Sequence, residues 1–181
     1  MNIKRVYIKV VTLFIFISAV FGLYSCHMEE SYKDFYIVDI TDCAVEEYFT
    51  SSKLDFARVG NVVLIPEIKK INYSDYIIYI SAYSPTGLEQ VSVKDVSLLD
   101  DTTVFFSQDK DQDICFINNK KDLFDGYINS GVFTDADIDV VDGKILYLIM
   151  HVQVDDGKQI ITKEISYEIE IKGYMSLVTP T

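Results

Sequence analysis

"KILYLIMHVQVDDGKQIITKEISYEIEIK", residues 144–172, decides the fold. In its second half Ile161, Ile165, Tyr167, Ile169 and Ile171 share one phase of a two-residue repeat, and Thr162, Glu164, Ser166, Glu168, Glu170 and Lys172 take the other. Two is the period at which strand side chains alternate between faces, so this segment reads as an antiparallel strand with one face in a core and one in water. In the first half Leu146, Leu148, Met150, Val152 and Val154 hold one phase. On the other phase Ile145, Tyr147 and Ile149 give way to His151 and Gln153, which predicts a strand whose beginning is covered on both faces. The link "DDGK", 155–158, contains Asp-Gly, and it predicts a tight hairpin turn because both central residues tolerate positive φ.

Outward from this hairpin, strands are expected at 34–40, 61–68, 75–84, 89–99, 102–107, 113–117 and 127–133. "SPTG", 84–87, is a turn with proline at its second position. Within 89–99 the apolar phase moves from Val91 and Val93 to Val96 and Leu98, and a bulge around Lys94 and Asp95 would absorb that slip. Pro66 has no N–H to give a ladder, which makes the 61–68 run an edge or a strand end. Short helical stretches are expected at 42–49 and 119–126. There is no Pro/Gly/Ser-rich linker and no fixed repeat, so the body is one domain, residues 35–181. Many short strands with frequent turns point to an all-β fold, an immunoglobulin-like antiparallel sandwich, although the chain has no Trp and hence no Cys, Trp, Cys signature.

The N-terminus carries an address. Residues 1–9 contain Lys4, Arg5 and Lys9, and residues 10–23, "VVTLFIFISAVFGL", are almost wholly apolar. This has the order of a secretory signal, and a run of 14 residues falls short of the roughly 20 that a membrane-spanning helix needs. Leu23-Tyr24-Ser25-Cys26 then resembles the lipobox of bacterial lipoprotein precursors: an aliphatic residue three before the cysteine, a small one directly before it, then Cys. The resemblance implies that residues 1–25 are removed, that Cys26 is acylated, and that 26–34 form a polar tether. It also implies outer-membrane attachment, because His27 stands where an inner-membrane retention aspartate would, and Glu29 and Glu30 resemble acidic surface-export tags. Several acyl chains on one cysteine are enough for stable anchoring, since each buried methylene contributes about 0.8 kcal/mol.

The formal net charge is -12; cleavage before Cys26 would leave 13 basic against 28 acidic residues, a net of -15. Nucleic acid is therefore not expected as a partner, because binding it depends on Lys and Arg displacing counterions. A single chain of 181 residues with 49% hydrophobic residues is otherwise ordinary for a globular domain.

Candidate sites are few. Cys43 and Cys115 could form a disulfide in an oxidising compartment, contributing about 4 kcal/mol by loop closure, or each could be a small buried hydrophobe. Asp109, Asp111 and Asp113 alternate like the start of a calcium loop, but Ile114 and Lys120 stand where an EF-hand needs Gly and Glu. They are weak cation candidates only, as are the acids of 135–143, so neither metal nor cofactor is expected. His151 is the one histidine within the body, which leaves little for nucleophilic catalysis or zinc. Glu164, Glu168 and Glu170 are spaced like paired glycosidase carboxylates, and equally like any solvated strand face. Tyr79 and Tyr83 share a phase and could form a flat platform for sugar rings or a protein. The expected function is a non-enzymatic, lipid-anchored binding module for an envelope or surface protein. The alternatives are a glycan-binding accessory module and a small carboxylate-dependent hydrolase.

Overall fold

The computed structural model describes residues 28–40, 44–72, 74–119, 123–134, 138 and 143–178. The chain divides into two compact units. The described residues of one, Met1–Tyr32 with Tyr174–Thr181, are extended backbone at 28–32 and 174–178. The other, Lys33–Gly173, is the β-sandwich. The described strands are β1 (Met28–Ile37), β2 (Arg58–Val59), β3 (Val62–Lys70), β4 (Asp75–Ser84), β5 (Gln90–Leu99), β6 (Val104–Gln108), β7 (Gln112–Ile114), β8 (Ile117–Asn119), β9 (Leu123–Thr134), β10 (Ile145–Asp155) and β11 (Ile160–Val178). The described residues contain no helix long and apolar enough to cross a membrane.

One sheet has the order β1-β11-β10-β5-β6, with β7 also on β5, and the other β2-β3-β4-β9-β8. Lettering β3, β4, β5, β6, β8, β9, β10 and β11 from A to G, with β6 as C′, gives A-B-E-D facing G-F-C-C′, which is the immunoglobulin-like arrangement. β1 and β2 add to it at two edges. The core lies between the sheets. From β4 it takes Tyr76, Ile78, Ile80 and Ala82, from β5 Val91, Val93, Val96 and Leu98, and from β10 Leu146, Leu148, Met150, Val152 and Val154. Aliphatic packing thus replaces the disulfide and tryptophan of antibody domains. Tyr167 on β11 is fully buried and donates its hydroxyl to Leu64 O on β3 at 2.7 Å, a polar tie from sheet to sheet. Burial holds this phenol well above its usual pKa.

The slip in β5 is a bulge. Ile149 pairs with Ser97 and His151 with Lys94, so Asp95 and Val96 together stand opposite Met150. Asp95 takes φ +51. Pro66 lies in β3 beyond the two residues that β2 covers, Val62 and Val63, and has only β4 beside it among the described strands. The hairpin between β10 and β11 forms as expected, but its turn is wider than a two-residue link, because Asp155 pairs with Ile160. Only Gly157 takes positive φ there, +78, and Asp156 accepts the N–H groups of Lys158 and Gln159 instead. The described residues of 119–126 are strand and not helix: Leu123, Phe124 and Asp125 pair with Asn119, Asn118 and Ile117. The described residues of 42–49 hold one 3-10 turn, Val45–Glu47, and a second follows at Ser52–Ala57.

Lys163 occupies the inward phase of β11, where an apolar residue is expected. Its ammonium donates to the carbonyl oxygens of Asp55, Phe56 and Arg58 at 3.1, 2.8 and 2.9 Å, closing the end of the second 3-10 turn over the sandwich. At the other end Asp100 accepts from Lys144 at 2.6 Å and from the N–H groups of Thr102 and Thr103, which hold its carboxyl far below the usual range.

The bulge yields a sign test. On an ordinary strand valine outperforms glycine by about 1 kcal/mol, but at a left-handed position a β-branched residue is strained by about 1–2 kcal/mol. Both Asp95→Val and Asp95→Gly remove the carboxylate equally. Urea denaturation should therefore show Asp95→Gly more stable than Asp95→Val by roughly 1–2 kcal/mol, the reverse of strand propensity.

Candidate functional site at the β4–β5, β7–β8 and β10–β11 end

Three connections meet at one end of the sandwich. The β4–β5 turn precedes Gln90, Gln90 pairs with Asp155 at the end of β10, and Val91 pairs with Ile114 at the end of β7. Between them lies an open cleft of about 490 Å³, with Leu88 and Glu89 on one wall, Cys115 and Phe116 on another, and Asp113 and Asp155 on either side of β5.

The β4–β5 turn is held by side chains. Ser84 and Glu89 are both buried, and Ser84 Oγ donates to Glu89 Oε2 at 2.5 Å. Thr86 Oγ1 donates to the same carboxylate at 2.8 and 2.9 Å. Ser84 Oγ in turn accepts the N–H groups of Thr86 and Gly87. Gly87 takes φ +65, and a Cβ there would stand 2.4 Å from Phe124, so only glycine fits. Burial by itself would raise the pKa of Glu89, but the hydrogen bonds from Ser84, its own N–H, Thr86 and Leu88 outweigh it and bring the carboxyl below its ordinary value. The locked turn holds Leu88 out in solvent, 83% exposed.

The residues singled out from the sequence are dispersed. Cys26 and Cys43 lie outside the described residues, as do Lys120 and most of the 135–143 acidic stretch. Cys115 is exposed with a free thiol and lines the cleft. Asp113 lines the cleft, while Asp109 and Asp111 lie exposed in the β6–β7 loop. Among the described residues no group of three or more His, Cys, Asp or Glu is placed to hold a metal ion. Tyr79 and Tyr83 do face the same side of β4, but Tyr83 is half-buried under Tyr48, with ring centroids 4.9 Å apart. Tyr79 instead meets the exposed Tyr127 at 6.3 Å and lies under Lys69 at 5.3 Å. Glu168 and Glu170 remain on the open face of β11.

His151 stands between two carboxylates on the open face of the first sheet. Its Nε2 is 3.2 Å from Glu164 Oε2, and its Nδ1 is 3.4 Å from Asp95 Oδ2 without the angle of a hydrogen bond. Neither nitrogen is bonded to a serine, threonine or cysteine among the described residues. The cluster therefore orients an imidazole but presents no activated nucleophile. Sequence reasoning missed Leu88, Glu89 and Tyr127. "SPTG" followed two residues later by Glu was the available signal for the first two, since a carboxylate that close can fold back onto the turn's hydroxyls.

Comparison with family models, curated protein sequences and solved structures finds no match to this chain.

Replacing Glu89 with Gln keeps the shape and removes the charged acceptor. Because the carboxyl is held below its ordinary pKa, its stabilising effect is complete above pH 4.5 and is lost as pH falls through the folded value. Urea midpoints should show Glu89→Gln weaker than wild type by about 1–2 kcal/mol at neutral pH, with the gap closing in acid.

Proposed function

We propose that the chain is a lipid-anchored envelope protein, held at the outer membrane by an acylated Cys26, and that its sandwich is a non-enzymatic module binding a protein partner at the cleft end. The observation that carries this reading is the leucine 83% exposed on a turn fixed by four buried or half-buried hydrogen bonds beside an open cleft. An apolar side chain carried on a turn whose backbone is already held adds little backbone ordering cost on binding, which suits an interface anchor.

The path of the chain supports the same end. Lys33, the first residue of the sandwich, accepts the Tyr76 hydroxyl at its carbonyl and donates its ammonium to Ile138 O, beside the start of β4. β4 then runs ten residues, roughly 33 Å at strand rise, before it reaches Ser84 and the cleft. The chain therefore enters the sandwich at the end remote from the cleft, which suits a module tethered through its N-terminus.

Glycan binding is a second reading, favoured by Tyr79 and Tyr127, whose rings meet on an open sheet face. Binding in a glycan screen that disappears with Tyr79→Ala or Tyr127→Ala would establish it in place of the first.

Two measurements test the proposal. Cys26→Ala should abolish labelled palmitate incorporation and move the protein from the membrane to the soluble fraction; continued labelling refutes the anchor. Crosslinking in intact envelopes should give a defined protein adduct that Leu88→Asp removes and Tyr127→Ala leaves in place. The opposite pattern refutes the cleft.

A further inference from the structure

We infer that the cleft receives a lysine or arginine side chain, carried next to an apolar residue on a segment of the partner protein. This rests on the binding-module reading and adds the chemistry of what docks. Three carboxyl residues, Glu89, Asp113 and Asp155, line the cleft, and among the described residues no lysine or arginine does. Lys94, Lys110 and Lys158 are near in sequence but absent from its walls.

The three acids have different parts. Glu89 is already satisfied by Ser84 and Thr86, so it adds negative potential without offering a free acceptor. Asp155 uses Oδ1 to accept Gly157 N at 2.8 Å, which fixes the carboxylate and leaves Oδ2 for a ligand. Asp113 is exposed, and its side chain has no hydrogen-bond or ion-pair partner among the described residues. Register places Asp113 beside Ser92 and Ser92 beside Gln153, with Gln90 beside Asp155. A cation held over Ser92 would thus have carboxylates on both sides and neutral polar groups beneath.

The walls give the second half of the chemistry. Leu88 and Phe116 offer apolar surface at the same opening. A lysine or arginine can lay its methylene stem on such surface while its charged head reaches the carboxylates. Leu88, mostly in water, is left to meet an apolar neighbour of that cation. The formal charge of -12 draws a basic segment in from a distance and repels an acidic one, which raises association rates and sets specificity.

The test uses the full acylated protein in phosphatidylcholine vesicles, with empty vesicles as blank. The probe is a fluorescent peptide of Gly, Leu and Lys in repeating triplets, and its counterpart has Glu for Lys. Anisotropy should show binding of the Lys peptide only, weakened in high salt. The double variant Asp113→Asn with Asp155→Asn should lower affinity tenfold or more. Glu168→Gln with Glu170→Gln makes the same charge change on β11 outside the cleft lining, and should alter affinity less than twofold. Bound Lys peptide should also slow maleimide alkylation of Cys115 several-fold. No binding, equal binding of the Glu peptide, equal effects of the two double variants, or an unprotected Cys115 would each overturn the inference. If Leu88→Asp still removes the envelope adduct while the Lys peptide fails, the binding-module reading stands and only the basic-segment inference falls.

Discussion

The two-against-one pairing of Asp95 and Val96 with Met150 is the constraint on which the rest depends. β10 alternates without a break, placing Leu146, Leu148, Met150, Val152 and Val154 inward, and β5 must match it along its whole length. In strict alternation the apolar residues of β5 would change face half-way, and either Val91 and Val93 or Val96 and Leu98 would be left in water. At roughly 25 cal/mol per Å2 of apolar surface, exposing two such side chains costs about 3 kcal/mol or more, whereas one left-handed residue costs about 1–2 kcal/mol. The bulge therefore wins. Aspartate is among the few non-glycine residues that tolerate that conformation, so Asp95 is both the site of the irregularity and a reason it can occur.

Consequences of the bulge run both ways along β5. Towards the β5–β6 turn it points Asp95 at His151, and Glu164 completes a row of acid, imidazole and acid across three strands. Towards the β4–β5 turn it sets which residues of β5 face outward. Gln90 and Ser92 consequently lie level with Asp155, Gln153 and Asp113 and form the floor of the cleft. A core-packing requirement has thus fixed the register of the polar residues on the opposite face. This follows from the two-residue side-chain period, by which any slip on one face is copied to the other.

The parts of the fold that were legible in the sequence are those governed by period and by local turn chemistry. The alternation in 144–172 gave two strands, and the phase change between Val93 and Val96 gave the bulge. Illegible parts depend on what long-range neighbours supply. Lys163 interrupts an apolar phase because three carbonyl groups more than 100 residues earlier need a donor. Tyr83 looks like the partner of Tyr79 until Tyr48, far back in the chain, covers it. The stretch 119–126 contains good helix formers, but its apolar residues complete the edge of a sheet whose other strands lie elsewhere in sequence, and tertiary pairing overrides propensity. At the cleft, the sequence marks Cys115 and Asp113 only singly, and nothing local brings them together with Leu88 and Asp155.

The exposed Leu88 contributes nothing to the buried core. Its turn is held by a buried carboxylate, two hydroxyls and a glycine that no other residue can replace without moving Phe124. Those contacts fix the backbone that carries Leu88, whose side chain lies outside the sandwich core. A polar residue would satisfy the same backbone at less risk of aggregation, since an apolar side chain in water beside an open cleft invites unspecific contact. Acidic groups on both sides of β5 limit that risk by repelling other copies of the same acidic chain while leaving a basic partner free to approach. A held turn, an exposed apolar side chain and one sign of charge stand together at this end of the sandwich, the arrangement that a cationic and partly apolar segment would complement.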